Sequence, residues 1–308
     1  MDKVTRTILA SEVFIQNGRT HTKIQIEEAT KIDDVIEKLR LDFKNSLRVD
    51  STEEFQNITD QFFIFSKWNL YKTVYRFNDI DFYNLLVDTE DAEFYQESVK
   101  YLPYNCFFIA SPEEDVVGFF VYVELGQDET LVYVVEVNDV DNEFLNTFVT
   151  MMWIPEGHTI DEGLRDWYNQ MQAKVSEESV QTALSYMKAV VKAIYYLSAQ
   201  NAVIKEVKIP KNKRPKKKDG KPLNIRQWDV GYRIGNDFRK ERSTGESESS
   251  RTGSRPRPHV RRAHWHHFWC GPSKSQLELK WLAPIFVNTN EEKNNIVSTE
   301  HEVLTNES

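Results

Sequence analysis

The chain has 308 residues, of which 40% are hydrophobic and 12% aromatic, so it is long enough to bury a sizeable core in one or two domains. Its two cysteines, Cys106 and Cys270, form no CxxC pair, which excludes a disulfide framework and a four-cysteine zinc site. No segment approaches the ~20 apolar residues of a bilayer span, and the amino terminus lacks the apolar core of a signal peptide. We therefore expect a soluble protein of a reducing cytoplasm.

The first segment, residues 1–101, is acidic and is predicted to be helical. Between Ile24 and Phe43 the hydrophobic residues recur mostly at three- and four-residue steps, which is the period of one helix face. From Glu53 to Tyr101 the chain is dense in aromatic residues. A buried helical layer explains these rings better than a base-stacking platform, because the region is acidic.

Residues 102–200 are predicted to combine strands with helices. Thr159 and Glu162 form a capping-box pattern at the start of one helix. A longer helix, ending near Gln200, carries one apolar stripe formed by Val180, Leu184, Met187, Val191 and Ile194. Runs rich in Val, Phe and Tyr, separated by acidic or Gly-containing turns, predict an antiparallel meander of three strands at Tyr104–Ala110, Val116–Leu125 and Thr130–Val137.

Residues 201–288 form a basic segment. Between Asn201 and Leu282 there are 21 Lys/Arg against 8 Asp/Glu, whereas the rest of the chain has 18 against 40. Such an asymmetry favours an anionic partner for the basic part, although attraction between the two parts of the fold explains it equally well. The stretch from 210 to 222 is broken by prolines and predicts an exposed loop with the basic patch Lys213, Arg214, Lys216, Lys217 and Lys218.

The end of the basic segment is predicted to be a β region. Residues 225–234 alternate well enough for a strand, and strands at 260–269 and 276–287 are expected to pair as a hairpin. The polar residues 289–308 are expected to form a disordered tail. The fold class is therefore α+β: a helical N-terminal region, a central antiparallel meander, a two-helix segment and a C-terminal antiparallel β-hairpin.

One short stretch concentrates the residues suited to binding. From Arg255 to Trp269 there are four of the seven histidines, four arginines and three aromatic residues. Strand alternation places Trp265, His267 and Trp269 on one face and His264, His266 and Cys270 on the other. The aromatic residues Trp265, Trp269, Trp281 and Phe286 could instead serve only to pack the strands against helices. We expect such a purely structural role for about half of these rings.

Four kinds of site fit this stretch. His264, His266 and Cys270 offer three of the four ligands of a structural zinc site, but no fourth is identifiable, so no metal or cofactor is expected. Arginines between aromatic rings suit phosphates and bases. His264, His266 and His267 offer acid–base groups for a ribonuclease. Exposed Trp and Arg side chains also suit a peptide groove. The candidate contact residues are His259, Arg261, Arg262, His264, Trp265, His266, His267 and Trp269.

The residues of this region also carry a family resemblance. The run RPHVRRAHWHHFW, the following GP and the later LKWLAPIFVN resemble the C-terminal signature of an anti-CRISPR family that acts against the type V-A effector nuclease. A weaker likeness extends back through LPYNCFFI, the GFFVYVEL strand and the helix before Asn201.

The resemblance implies a function that composition alone does not. A protein similar to this family is expected to be encoded by a phage, plasmid or other mobile element and to act in the cytoplasm of a bacterial host. It is expected to bind the nascent N-terminal segment of the effector at the translating ribosome and to cause loss of its mRNA. On this interpretation the protein is not an enzyme, and a ribonuclease or a metal-stabilised nucleic-acid-binding module are the alternatives.

Overall fold

The structure, a computed structural model, describes residues 3–22, 52–138, 149–171, 176–210, 223–246 and 259–287, together with residues 212, 214, 216, 220 and 222. The helix predicted between Ile24 and Phe43 and the predicted tail at 289–308 lie outside the described residues. The described part is α+β, as the sequence predicts, with helices on both faces of a mixed sheet.

Helices and strands are interspersed along the described parts of the chain. The helices are α1 Lys3–Thr22, α2 Thr52–Tyr71, α3 Ile80–Val87, α4 Gln96–Val99, α5 Ile160–Met171, α6 Glu177–Ser198 and α7 Ile234–Glu246. The strands are β1 Thr73–Arg76, β2 Cys106–Ala110, β3 Val116–Leu125, β4 Glu129–Asn138, β5 Val149–Pro155, β6 Ile204–Val207, β7 Arg226–Val230, β8 His259–Arg261, β9 His264–Cys270, β10 Gln276–Leu282 and β11 Ile285–Val287.

Seven strands form the main sheet, in the order β5-β4-β3-β2-β1-β7-β6. The strands from β2 to β5 pair antiparallel, which confirms the predicted meander and adds β5 to it. At the other end of the sheet β1 lies parallel to both β2 and β7, and β6 closes the edge antiparallel to β7. Parallel neighbours need crossover connections, and helices supply them here.

Both faces of this sheet are buried, so its central strands read as nearly continuous apolar runs rather than as alternating ones. In β3, Phe120 and Tyr122 pack toward α1 and α2 on one face, while Phe119 and Val121 pack toward the opposite face. That second face carries α3, α4, α5 and α6, and the C-terminal hairpin packs onto α3, α4 and α6.

Three local features differ from the sequence prediction. The aromatic-rich first segment contains a buried strand, β1, at the centre of the sheet. The strand predicted over 225–234 ends at Val230, because Gly231 turns with φ +68° and α7 begins at Ile234. The two C-terminal strands are each broken, so that β9 pairs with β10 and β8 pairs separately with β11.

Two helix predictions are confirmed in detail. The capping box at the start of α5 is reciprocal: Thr159 N donates to the Glu162 carboxylate over 2.9 Å, and Glu162 N donates to Thr159 Oγ1 over 3.2 Å. The stripe on α6 is fully buried at Val180, Met187, Val191 and Ile194. In the part of the chain that the structure describes, no helix is both long enough and apolar enough to cross a membrane.

Candidate functional site: the C-terminal hairpin

The hairpin formed by β9 and β10 holds most of the candidate contact residues. The turn begins at Gly271, whose φ of +73° is accessible to glycine at little cost. The register places Trp265 opposite Trp281 and His267 opposite Leu279, with Trp269 opposite Leu277. Directly opposite residues of an antiparallel pair share a face, so these six side chains form the inward face of the hairpin.

The inward face anchors the hairpin to the body through its two buried tryptophans. Trp281 is 2% exposed, packs edge-on against Phe82 and Tyr196, and donates its indole N–H to Thr89 Oγ1 over 2.9 Å. Trp265 is 8% exposed and packs against the ring of Tyr195. Trp265 and Trp281 are therefore core residues, as we expected for about half of the aromatic residues in this region.

The backbone of β10 is held as well. The Asn201 side chain donates to Trp281 O over 2.8 Å and accepts from Trp281 N over 3.0 Å, so one amide satisfies both polar groups of that residue. Gln200 N donates to Leu279 O over 2.8 Å. The segment that directly follows α6 thus continues the hydrogen bonding of the hairpin beyond β10.

A buried lysine also contributes to holding the hairpin against the body. Lys192, on α6, is 1% exposed, and its ammonium donates to Val87 O over 2.8 Å and to Thr89 O. Burial, together with the nearby Lys188, lowers the pKa of Lys192, while Asp161, Asp91 and Asp88 oppose the shift. One cation therefore holds the carboxyl end of α3 beside the threonine that accepts from Trp281.

His267 connects the hairpin to the body by a polar contact. Its Nε2 lies 2.9 Å from the hydroxyl of Tyr195, and that hydroxyl donates to Glu93 O. The Tyr195 oxygen must then accept from His267, so the neutral imidazole carries its proton on Nε2. Desolvation lowers the pKa of His267, with Glu93 opposing and His266 adding to the shift. The neutral form is thereby favoured.

Trp269 differs from the other inward tryptophans because it lies next to the turn, at the tip of the hairpin. Its side chain is 56% exposed, although Leu277 opposite it is buried. Two residues earlier on the same face, His267 contacts the ring of Tyr95, whose hydroxyl bonds the Glu93 carboxylate. This end of the inward face therefore offers an open indole next to half-buried polar rings.

The outward face carries a different set of side chains. His264, His266, Phe268 and Cys270 lie opposite Leu282, Lys280, Glu278 and Gln276 in turn. His266 stacks on Phe268 with an interplanar angle of 12°, and the Lys280 ammonium lies 4.5 Å from the centre of the Phe268 ring. The Glu278 carboxylate beside Cys270 raises the pKa of that thiol.

The predicted candidates therefore do not form one cluster. His264 and His266 lie on the outward face, but His267 lies on the inward face, which separates the three histidines of the ribonuclease alternative. In the described ranges, no three His, Cys, Asp or Glu side chains come close enough to hold a metal ion, so His264, His266 and Cys270 do not assemble one.

The remaining candidates lie at the margins of the hairpin and in the basic loop. Arg261 and Arg262 are exposed. Arg214 bonds Asn224 Oδ1 over 2.8 Å, and Lys216 forms an isolated bridge with Pro222. The side chain of His259 and the residues Lys213, Lys217 and Lys218 lie outside the described residues.

Sequence reasoning missed the residues that hold the hairpin. Lys192 could have been found, because it is the single charged residue in the apolar run AVVKAIYYL from Ala189 to Leu197. A lysine in such a run must either reach solvent or find carbonyl partners. Thr89, Asn201 and Tyr195 carry no such pattern, and their roles depend on contacts between elements that are distant in sequence.

Comparison of the sequence with models of known families identifies the class of protein to which this fold belongs. The sequence model of the AcrVA2-like family, described as the Anti-CRISPR type V subtype A2 family, matches residues 75–289, which is more than half of the chain. The chain belongs to this family, so the resemblance to a type V-A anti-CRISPR family is confirmed and a type V-A CRISPR effector is the target that membership implies.

The solved structures include a similar fold. The chain superimposes on the protein reported as "Crystal structure of AcrVA2" with a TM-score of 0.50 and 16% sequence identity, over 92% of this chain and 94% of that one. This likeness extends over nearly all of both chains and concerns the fold. The search of curated proteins found no match.

Proposed function

We propose that this protein is a non-enzymatic inhibitor that binds the nascent N-terminal polypeptide of a type V-A CRISPR effector at the ribosome and triggers loss of the effector's mRNA. The proposal refines the anti-CRISPR role that family membership supplies. It requires a surface that recognises an extended peptide, and it requires neither a metal nor a cofactor.

The observation that carries the proposal is the exposure of Trp269. Trp265 and Trp281 on the same face of the hairpin are 8% and 2% exposed, whereas Trp269 is 56% exposed. Tryptophan is among the residues most often found to dominate protein-binding energy, because its large ring loses little conformational freedom on binding. An indole on a hairpin that is firmly docked elsewhere is a rigid anchor for a peptide side chain.

The surroundings of Trp269 suit a peptide better than a small molecule. Tyr95 and His267 lie on the same side and offer polar groups beside the indole. In general, the edge of a β-strand supplies backbone N–H and C=O groups that can pair with an extended peptide. His267 lies on the face opposite to His264 and His266, so the three histidines of the ribonuclease alternative cannot all reach one substrate phosphate.

The test uses a reporter fused to the N-terminal segment of a type V-A effector, expressed with this protein. Its mRNA is compared with that of a frame-shifted control that has nearly the same nucleotides but encodes a different peptide. We expect the message to be lost only in the correct frame. Equal loss from both reporters would favour RNA recognition or cleavage, and no loss from either would refute the proposal for that effector.

A pair of variants connects this result to the hairpin. Trp269→Ala is expected to weaken peptide binding by about 2 kcal/mol, or roughly 30-fold, and to abolish the frame-dependent loss of message. Tyr71→Ala is the matched control, because Tyr71 is an aromatic residue 37% exposed at the end of α2, away from the hairpin. Unchanged message loss with Trp269→Ala, at equal expression, would show that the peptide binds elsewhere.

A further inference from the structure

The outward face of the hairpin is a second surface, which the proposed peptide contact does not use. His264, His266 and Phe268 follow one another on this face at steps of about 7 Å, two residues of strand rise. Arg262 lies in the break just before β9 and is exposed, whereas Ala263 between it and β9 is buried.

The rings on this face are arranged as a stacking platform. His266 is exposed and nearly parallel to Phe268, with their centres 6.2 Å apart and an interplanar angle of 12°. The Lys280 ammonium lies over the Phe268 ring at 4.5 Å. Two parallel rings leave an edge and an outer ring face accessible, and a further planar group can stack there.

The charge of the platform is positive. Arg262 and Lys280 contribute two cations, and Glu278 is the one carboxylate on the paired strands β9 and β10. Within the described ranges neither of these two cations forms an ion pair with a carboxylate. Their charges are therefore available to an anionic partner, in contrast to Arg239, which is held by Asp79 and Asp81.

We propose that the outward face of the hairpin binds unpaired RNA, with Arg262 and Lys280 contacting phosphates and the pair His266–Phe268 stacking on a base. Cations beside exposed rings are what recognition of single-stranded nucleic acid requires, since each base has a ring face and each nucleotide a charge. A duplex hides its base faces and leaves the rings no role. An acidic protein would satisfy the cations but would not use the stacked rings.

This inference goes beyond the peptide contact and depends on the proposed function only in its source of RNA, which would be the translated message. One hairpin would then contact a nascent peptide through Trp269 on its inward face and the message through its outward face. The two contacts can be separated experimentally, because Trp269 and Phe268 are adjacent in sequence and point to opposite faces.

The experiment measures binding of the full-length protein to a fluorescent oligouridine of about 16 nucleotides, the upper site size of one single-strand binding module. Fluorescence anisotropy is recorded over a range of salt concentrations, with an RNA duplex of equal length for comparison. We expect oligouridine to bind more tightly than the duplex. Arg262→Glu with Lys280→Glu should weaken binding at least tenfold and reduce the salt slope by about 0.7 for each cation removed.

Ring stacking is tested separately from charge. Phe268→Ala should weaken oligouridine binding about tenfold at constant salt, as expected for the loss of one stacked base. Phe268→Leu keeps the bulk of the side chain and should show a similar loss, so that a folding defect in the alanine variant does not decide the result. Gln276→Ala, at the tip of the same face, is the matched control and should bind as the wild type does.

Equal affinity of the wild type for the duplex and for oligouridine, or unchanged affinity in the charge-reversed or both Phe268 variants, would overturn the RNA assignment. That result would leave the peptide proposal intact if frame-dependent message loss persists. Conversely, RNA binding with no frame dependence in the reporter would support the outward face while refuting the peptide contact.

Discussion

At the scale of single residues, three tryptophans of similar sequence context have different roles. Trp265, Trp269 and Trp281 are inward-facing, yet two are buried and one is open to solvent. Alternation along a strand predicts which face a side chain takes, and it did so correctly for Trp265 and Trp269. It cannot predict what covers that face, because the covering residues, such as Tyr195 and Thr89, come from distant parts of the chain.

His267 should make stability depend on pH. Its pKa is lowered in the folded state by burial, so the unfolded chain takes up a proton first as the pH falls below about 6.5. The contribution of His267 is therefore complete above the unfolded pKa and is lost as the pH falls through the lower folded pKa. The groups that face the ring are Glu93, Tyr95 and Tyr195, and the charge of His266 acts on it from the opposite face of the hairpin.

The measurement compares chemical unfolding of the wild type and of His267→Gln at pH 7.5 and at about pH 5.5. Glutamine can still donate to Tyr195 but does not titrate. We expect the wild type to lose more stability than the variant, by less than the ~1.4 kcal/mol of one pKa unit because the ring is partly solvated. Equal losses in both proteins would show that the hydrogen bond to Tyr195 does not control the titration.

At the scale of helices and strands, the sequence predicts features that depend on neighbouring residues and misses features that depend on contacts distant in sequence. The capping box of α5 and the stripe of α6 depend on residues three or four apart, and both are present. The strand β1 was missed because Thr73–Arg76 lies among aromatic residues that read equally well as a helix. Its strand character comes from pairing with Phe108–Ala110 and Arg226–Asp229, which no local pattern reveals.

The turn between β7 and α7 gives an element-scale prediction. Gly231 has φ +68°, and a Cβ placed there would lie 2.2 Å from the ring of Phe82, a buried residue of α3. Gly231→Ala should therefore combine backbone strain with a steric clash and lower the free energy of unfolding by about 3 kcal/mol. Denaturation followed by circular dichroism measures this change.

Gly220 supplies the matched control for that substitution. It has φ +79°, yet an added Cβ would meet nothing within 4 Å. Gly220→Ala should cost only the backbone strain, about 1 kcal/mol. If the two variants lost equal stability, the close approach of Phe82 to the turn would not be the cause.

At the scale of the whole molecule, the main sheet joins parts of the chain that differ in charge. Strand β1 comes from the acidic first segment and β7 from the basic last one, and they are neighbours in the sheet. The acidic and basic parts are therefore held together by backbone pairing. Ion pairs join the two parts as well, because Arg239 of the basic segment binds Asp79 and Asp81 of the acidic one. Arg261 and Arg262 are exposed and remain accessible to an anionic partner.

This charge distribution predicts that association with ribosomes is electrostatic. A variant that neutralises Lys213, Arg214, Lys216, Lys217 and Lys218 together with Arg261 and Arg262 removes seven of the 21 cations between Asn201 and Leu282. We expect it to sediment with ribosomes much less than the wild type in a sucrose gradient, and the wild type itself to dissociate as the salt concentration rises.

The control for this variant keeps the number of substitutions but moves them to lysines and arginines outside the basic segment, such as Lys67, Lys100 and Arg165. Because long-range attraction depends on where the charge lies, this control should remain with the ribosomes. Equal loss in both variants would mean that net charge alone matters. No loss in the first variant would show that the basic segment faces something other than RNA, and would leave peptide recognition as the sole link between this protein and the ribosome.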